Sequence, residues 1–251
     1  MADPVFRTIL LFDIEQFGSR DDVEQAYLRR VLYDVVDATV AAADVDETAR
    51  LRADRGDSVM ELIDTRVSVP ALVKTLLTET PALLHNKNRL LASSARMRVR
   101  IVLASGYVAV DELDGWVGSD LNHAVRLLNA DPLRDALKRS DAGSVLCVSD
   151  AVYQGVVRHG PLGVRPDDFH RVTVETKEGP TVAWLHGEAA ATAAGGATTA
   201  ASADPGTAHT HPHTHPHTHP QTHIGGDQYG VTGGTVHGDL NFGLPGRGGR
   251  R

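Results

Sequence analysis

Apolar residues form two kinds of pattern along the first 187 residues. Short runs in which most residues are apolar, such as VFRTILLF and SVLCVSD, predict buried strands. Longer stretches repeat apolar residues every three or four positions, as DDVEQAYLRRVLYDVVDATVAAADV does, and these predict amphipathic helices. Because strands and helices follow one another throughout, the pattern predicts an α+β or α/β sandwich in which helices pack on a sheet.

The same pattern predicts where several elements turn or break. ARLRADRGDSVMELI predicts two short strands joined through Gly56 and Asp57. The helix that follows is expected to break or kink at Pro81. RMRVRIVLASGYVAV predicts a strand up to Gly106 and another strand beyond it, and HRVTVETKEGPTVAWLHG predicts a closing hairpin.

Helix ends and the one cysteine add local expectations. Asp21 and Asp22 fall in the first turn of the first helix, where acidic side chains suit the helix dipole. GSDLNHAVRLLNA predicts a helix capped by Ser119 or Asp120. Cys147 lies in an apolar strand, so a small core residue is the favoured interpretation over a reactive thiol.

Composition changes abruptly after Gly187. Residues 188–223 begin with Ala, Gly and Thr and continue into HTHPHTHPHTHPQTH, which holds seven of the thirteen histidines. This composition predicts a disordered linker; a stiff spacer is the favoured interpretation of its second half, although the imidazoles could also collect divalent metal. We therefore expect a folded domain over residues 1–187, a linker over 188–223 and a Gly-rich tail over 224–251.

Net charge and the N-terminus restrict the partners. Of the 251 residues, the first 187 carry 28 Asp and Glu against 22 Lys and Arg, a net charge of −6, which argues against a general nucleic-acid binder. The start, MADPVFRTILLFD, lacks the pattern of a secretion signal, and no apolar run approaches the roughly 20 residues of a membrane span. We expect a soluble, cytoplasmic protein with neither a nucleic-acid nor a membrane partner.

Two aspartates are candidates for metal chemistry. Asp13 directly follows a strand of buried character, and Asp57 lies at the predicted hairpin tip. An ionised carboxylate at such a position is costly to desolvate unless something pairs with it. Carboxylates on neighbouring strand ends could bind a pair of magnesium ions, whereas a helix cap or turn residue is the favoured interpretation of each Asp taken alone.

A second group of residues suits phosphate recognition. Asn122 and Arg126 are four residues apart on the predicted helix, so an amide and a guanidinium project side by side. By spacing alone, an ordinary hydrogen-bonded surface pair is the favoured interpretation. Lys177, in the ETKEGP turn, is uninformative by itself.

Taken together, these motifs resemble the catalytic domain of the class III nucleotidyl cyclases, the adenylate and guanylate cyclase family. The resemblance runs from about Arg7 to Gly187. FDIEQFG is similar to the family's first metal-binding strand, RGDSVMEL to its Gly-Asp hairpin, VRIVLASGYV to the strand pair that follows, and GWVGSDLNHAVRLLNA to its Gly-x-x-x-Asn-x-x-x-Arg-Leu helix. The fold implied is an α+β, ferredoxin-like sandwich with a mixed, mainly antiparallel sheet.

The resemblance also implies an activity, which is conversion of a nucleoside triphosphate to a 3′,5′-cyclic nucleotide and pyrophosphate. Two Mg²⁺ or Mn²⁺ ions per site would be held by Asp13, Asp57 and the carbonyl of Ile14. Asn122 and Arg126 would stabilise the transition state, and Lys177 would contact the terminal phosphates. In the family's homodimer, each site takes its metal carboxylates from one chain and its transition-state helix from the other.

The base-reading pair departs from the family pattern. The purine-selecting lysine aligns with Ala53, next to Arg52, and its acidic or small polar partner aligns with Gly115, next to Asp114. The base could therefore be adenine, guanine or a pyrimidine. The alternative function is a catalytically weak or inactive cyclase-like scaffold that signals through its tail.

The tail itself carries a repeated pattern. GDQYGVTGGTVHGDLNFG sets Val231, Val236, Leu240 and Phe242 among glycines, and it is loosely similar to bacterial amyloid-signalling motifs related to the RIP homotypic interaction motif. A glycine-rich disordered tail is the alternative interpretation. On the first interpretation, a sensor protein would recruit the domain through residues 224–243, as a signalling or defence effector.

Overall fold

The computed structural model describes residues 3–113, 115–176 and 179–187. Seven strands form one sheet in the order β2-β3-β1-β4-β6-β8-β7, and the short β5 pairs with β4 beside it. Every pairing is antiparallel except that of β4 with β6. This is the mixed, mainly antiparallel α+β sandwich that the sequence predicts.

The elements follow one another along the chain as expected from the apolar pattern. The strands are β1 (Val5–Ile14), β2 (Arg50–Asp54), β3 (Ser58–Ile63), β4 (Val99–Val110), β5 (Trp116–Val117), β6 (Ser144–Ser149), β7 (Phe169–Thr176) and β8 (Gly179–His186). The helices are α1 (Asp22–Ala42), α2 (Val69–Asn88), α3 (Ser119–Leu128), α4 (Asp131–Arg139) and α5 (Asp150–Gly155).

Helices cover both faces of the sheet, so the interior strand β1 is buried on both sides. Leu10 and Phe12 pack with α1 and α2 in one hydrophobic cluster. Ile9 and Leu11 pack with α3 and α4 in another. Since successive side chains of a strand point to opposite faces, β1 lies at the centre of two cores. Cys147 is buried in the second cluster, as predicted.

Two predicted breaks are wrong. Helix α2 continues through Pro81, and the buried hydroxyls of Thr39 in α1 and Thr80 in α2 lie 2.9 Å apart at the residue before the proline. Strand β4 also continues through Gly106. A Cβ at that position would lie 2.2 Å from the Cβ of Asp120, so glycine is required for α3 to pack closely on the strand.

The acidic start predicted for the first helix provides its cap, whereas the cap predicted for α3 is not formed. The carboxylate of Asp21 accepts from the amide of Glu24 at 2.8 Å and caps α1. Neither predicted residue caps α3, whose N-cap is Gly118. Asp120 instead accepts from the amide of Tyr107 at 2.7 Å, which fastens α3 to β4. In the described part of the chain, no helix is long and apolar enough to cross a membrane.

Candidate active site

Asp13 is the second-to-last residue of β1, which lies between β3 and β4. Each neighbouring strand places a polar residue opposite it. Its register partners are Ser58 in β3 and Arg100 in β4. The residue is only 8% exposed. The Nε of Arg100 donates to Asp13 Oδ2 at 2.9 Å, and its Nη2 contacts the same oxygen. In this structure, the buried carboxylate that the sequence leaves without a partner is paired with Arg100.

Asp57 lies beside Asp13 because the β2–β3 turn abuts the end of β1. The amide of Ile14 donates to the Asp57 carbonyl at 3.0 Å. Gly56, which precedes Asp57 in this turn, has a φ of 87°, a conformation that glycine adopts without steric cost. The junction therefore brings together the three positions, Asp13, Ile14 and Asp57, at which the sequence predicts metal ligands.

Burial and neighbouring charges act on the pKa of Asp13 at this junction. Burial raises the pKa of Asp13 above its ordinary value, the Arg100 guanidinium opposes that rise, and the Asp57 carboxylate adds to it. A divalent ion between the two carboxylates would remove their repulsion and compensate for the desolvation. Two carboxylates and a main-chain carbonyl are hard oxygen donors, the type that Mg²⁺ and Mn²⁺ take.

The donor set is nevertheless small. In residues 3–113, 115–176 and 179–187, no group of three or more His, Cys, Asp or Glu side chains is placed to hold a metal ion. The residues present therefore fit an ion that completes its coordination with water or with substrate phosphate, as magnesium does in phosphoryl-transfer sites.

Asn122 and Arg126 lie on α3, one helical turn apart, as predicted. Asn122 is exposed and Arg126 is half-buried. Arg126 lines a cavity of about 670 Å³ bounded by α3, α4 and the end of β7, together with Arg134, Glu175 and Thr176. Arg134 also lowers the pKa of Asp13 by its charge, after the larger effects of burial and Arg100. The Arg134 side chain of this cavity is thus close enough for its charge to act on Asp13.

Two predicted site residues, Lys177 and Asp114, lie outside the described residues. The strand ends that flank Lys177 are described. The hydroxyl of Thr176 donates to the Gly179 carbonyl at 2.7 Å, which closes the β7–β8 hairpin. Since Thr176 lines the cavity, this hairpin ends beside Arg126.

Arg52 and Ala53 point to opposite faces of β2, because they are adjacent in a strand. The Arg52 Nε donates to Glu61 Oε1 at 2.6 Å and its Nη2 to Asp37 Oδ1 at 2.5 Å. Its guanidinium also lies over the Tyr33 ring, 5.1 Å from the centroid. Arg52 is therefore committed to the α1 face, whereas Ala53 packs against the opposite core with a methyl group.

The carboxylate of Asp111 occupies the space into which a side chain at Gly115 would extend. A Cβ on Gly115 would lie 2.5 Å from Asp111 Oδ2. Asp111 Oδ1 accepts from the amides of Leu113 and Gly115 at 2.9 and 2.7 Å. Gly115, which the resemblance aligns with a base-reading position, therefore has the Asp111 carboxylate directly beside it.

Sequence reasoning missed Arg100 and Asp111. Arg100 alternates with apolar residues in β4, a pattern that predicts a solvated face, and only the pairing of β1 with β4 shows what it contacts. Asp111 falls at a strand end, where a turn residue is the simple interpretation.

Comparison with known proteins gives matches by structure only. No family model and no curated protein matches the sequence. An adenylate/guanylate cyclase/hydrolase from Silicibacter pomeroyi is 19% identical over 75% of this chain and 100% of that chain, with a TM-score of 0.53. The guanylyl cyclase Cya2 is 15% identical over 77% of this chain and 97% of its own, with a TM-score of 0.52. A bacterial light-regulated adenylyl cyclase is 15% identical over 74% of this chain and 53% of its own, with a TM-score of 0.52.

At these identities the likeness concerns the fold. It covers about three quarters of this chain and nearly the whole length of two of these structures. The described residues have the fold of the adenylate and guanylate cyclase catalytic domains.

Proposed function

We propose that this protein is a nucleotidyl cyclase, which converts a nucleoside triphosphate to a 3′,5′-cyclic nucleotide and pyrophosphate in a homodimer. The observation that carries the proposal is the convergence of Asp13 and Asp57 at the β1–β3 junction, beside the Arg100 guanidinium. The two carboxylates offer the oxygen donors that Mg²⁺ and Mn²⁺ take, and the guanidinium offers N–H donors that suit a phosphate oxygen.

Each residue has a separate role in this proposal. Asp13, Asp57 and the Ile14 carbonyl would hold two Mg²⁺ or Mn²⁺ ions, whose charge would make the ribose 3′-hydroxyl of the substrate easier to deprotonate and would neutralise the triphosphate. Arg100 already contacts the Asp13 carboxylate, so its planar fork of N–H donors is in place to bind a phosphate oxygen that replaces part of that contact.

Asn122 and Arg126 would interact with the charge that develops in the transition state. Arg126 would donate to the oxygens of the α-phosphoryl group as negative charge develops there, and Asn122 would hold the reacting ribose or phosphate in line. Removing such a cation typically costs about a hundredfold or more in rate. Lys177 would contact the terminal phosphates from the β7–β8 hairpin. We place these groups in the same site as the carboxylates of a second copy, so that a two-fold dimer contains two shared sites.

For the base, we propose that Asp111 takes the role of the missing acidic partner. Its Oδ1 is occupied by two main-chain amides, whereas its Oδ2 faces the space that a Gly115 side chain would fill. That oxygen would accept a hydrogen bond from an amino or imino group of the base. Ala53 supplies no polar group opposite it, so Asp111, with Asp114 nearby in sequence, would determine base preference.

The test is direct. The purified protein is incubated with Mn²⁺ and each of ATP, GTP, CTP and UTP separately, and cyclic products are identified by mass spectrometry. We expect one preferred triphosphate, no product from Asp57→Ala, and an altered base preference in Asp111→Ala. Failure of all four triphosphates to react would overturn the proposal and leave the scaffold interpretation.

We further propose that the cyclase is a signalling or defence effector that a sensor protein recruits through residues 224–243. The support is the sequence pattern alone, which combines β-forming residues with low net charge and no proline from Ile224 to Leu244. A peptide of residues 224–243 should form thioflavin-positive fibrils, and Val236→Asp should prevent them by placing a charge in the stack. A wild-type peptide that stays monomeric even with its partner would refute recruitment by templating.

A further inference from the structure

Helix α1 and the edge strand β2 are joined by three successive side-chain contacts. Arg29 contacts Asp54, Tyr33 lies under the guanidinium of Arg52, and Asp37 accepts from Arg50 and Arg52. We name these contacts the α1–β2 ladder, formed by Arg29, Tyr33 and Asp37 of α1 and by Asp54, Arg52 and Arg50 of β2.

The ladder follows from a match of two repeats. Its helix residues are spaced by four, which spans about 6 Å of helix, and its strand residues are spaced by two, which spans about 6.6 Å of strand. The two elements can therefore meet three times in succession. β2 needs such support because it is the terminal strand of the sheet and pairs only with β3 among the described strands.

The two ends of the ladder differ in burial. At one end, Arg50 and Arg52 both donate to Glu61, whose side chain is 0% exposed. Removing a partner from such a buried pair leaves an uncompensated charge and destabilises the whole domain. At the other end, the side chains of Arg29 and Asp54 are 49% and 30% exposed, so that this contact contributes little to global stability.

The exposed end leads directly to the turn that carries Asp57. Asp54 Oδ2 contacts Arg29, while Asp54 Oδ1 accepts from the amide of Gly56 at 2.8 Å. Arg29 thereby fixes the carboxylate that in turn fixes the left-handed Gly56, and Asp57 is the next residue. The path from α1 to Asp57 contains two hydrogen-bonded contacts and one peptide bond.

We propose that Arg29 and Asp54 are positioning residues for divalent-metal binding at Asp13 and Asp57. They hold the β2–β3 turn against α1, so that the Asp57 carboxylate stays beside Asp13 before the ion arrives. This inference rests on the proposed metal site. Loss of the Arg29–Asp54 contact should weaken metal binding roughly threefold to tenfold. This is less than the ~10–100-fold that is typical when a group bonded directly to a metal ligand is removed.

The experiment measures Mn²⁺ binding to the full-length protein by the electron paramagnetic resonance signal of the free ion. Mn²⁺ is titrated alone and with inorganic tripolyphosphate. Asp57→Ala gives the binding that occurs elsewhere on the chain, the histidine-rich segment included. Arg29→Gln should weaken the Asp57-dependent binding threefold to tenfold, roughly, and Arg29→Lys should recover part of it by restoring the charge.

The matched control is Arg30→Gln, the same substitution at the next residue of α1, which is also exposed. It should leave Mn²⁺ binding unchanged. Melting temperatures separate positioning from unfolding, because Arg29→Gln and Arg30→Gln should both melt close to the wild-type temperature. Hydrogen exchange should quicken at the amides of residues 55–58 in Arg29→Gln only.

A double-mutant cycle tests the path itself. If Arg29 acts through Asp54, then Arg29→Gln should cause no further loss of affinity in an Asp54→Ala background. Independent, additive losses would overturn the proposed path. Wild-type Mn²⁺ affinity in Arg29→Gln would overturn this inference and leave the metal site intact, whereas a wild type that binds no more Mn²⁺ than Asp57→Ala would overturn both.

Discussion

Replacing Arg100 by methionine isolates the ion pair at the centre of the candidate site. Methionine keeps much of the aliphatic stem and removes the guanidinium that donates to Asp13 Oδ2 at 2.9 Å. The Asp13 and Arg100 side chains are 11% and 13% exposed. Asp13 would then be a nearly buried carboxylate next to Asp57, with its principal compensating charge removed.

The expected cost is large. Breaking a buried ion pair by removing one partner costs about 3–5 kcal/mol in the free energy of unfolding. For a domain of this size, each kcal/mol lowers the melting temperature by about 2–4 °C, so we expect a decrease of roughly 6–20 °C. Arg165→Met is the control, because Arg165 and Asp168 form an exposed pair at 3.8 Å whose loss should cost about 1 kcal/mol or less.

The pH dependence of this loss has a definite sign. The pKa of Asp13 is already raised by burial, and removing Arg100 removes the largest charge that opposes the rise. An acid whose folded-state pKa lies above its unfolded value stabilises the fold at low pH, and that contribution disappears as the pH rises through the folded-state pKa. The deficit of Arg100→Met relative to wild type should therefore be smaller at pH 5 than at pH 8.

A divalent ion provides the decisive assay. Melting curves of wild type and Arg100→Met are recorded at pH 8 with and without Mn²⁺. Mn²⁺ should stabilise the variant more than the wild type, because the ion supplies the missing positive charge to Asp13 and no longer competes with the guanidinium. An unchanged melting temperature in Arg100→Met, or equal stabilisation of both proteins by Mn²⁺, would refute this account of the site.

Four other predictions concern separate parts of the molecule. Asp57→Ala and Arg126→Ala should each abolish cyclase activity, and an equal mixture should recover about a quarter of it, since roughly half of randomly paired dimers have one intact site of two; mixtures that stay inactive despite proven subunit exchange would exclude shared sites. Burial raises the pKa of Cys147 to about 12, so that the native protein at pH 8 should not react with a thiol reagent until it is unfolded, and a reaction within minutes would contradict this. Truncation after Gly187 should leave the melting temperature unchanged in a thermal scan, and a large decrease would show that the removed segment stabilises the domain. Gly106→Ala should cost about 1–3 kcal/mol by pushing α3 off β4, measured by chemical denaturation, and a neutral result would show that the helix can shift at no cost.

Local sequence determined most of the fold, because its elements are long and strongly periodic. The nearly continuous apolar run in β1, the 3.6-residue period in α1 and the glycine at position 56 each depend on residues close in the chain. The same locality explains why Pro81 and Gly106 were misleading. Their effect depends on the buried contact between Thr39 and Thr80 and on the approach of Asp120 to β4.

The candidate site divides in the same way. The resemblance to the class III cyclases selects Asp13, Asp57, Asn122 and Arg126 as the predicted site residues, whereas spacing alone favours ordinary turn or surface roles for them. Only the tertiary structure decided their partners. Sheet order β3-β1-β4 places Asp13 between Asp57 and Arg100, whose sequence separations from Asp13 are too large for any local pattern to encode.

The tertiary structure also determined the directions in which the side chains of β2 point. Arg52 and Ala53 are adjacent in sequence, and either could face the base. Alternation along β2 sends Arg52 to Glu61 and the α1 face, and leaves a methyl group on the other. Which face carries the site depends on how β2 pairs with β3 and on where α1 packs, and these are properties of the assembled sheet.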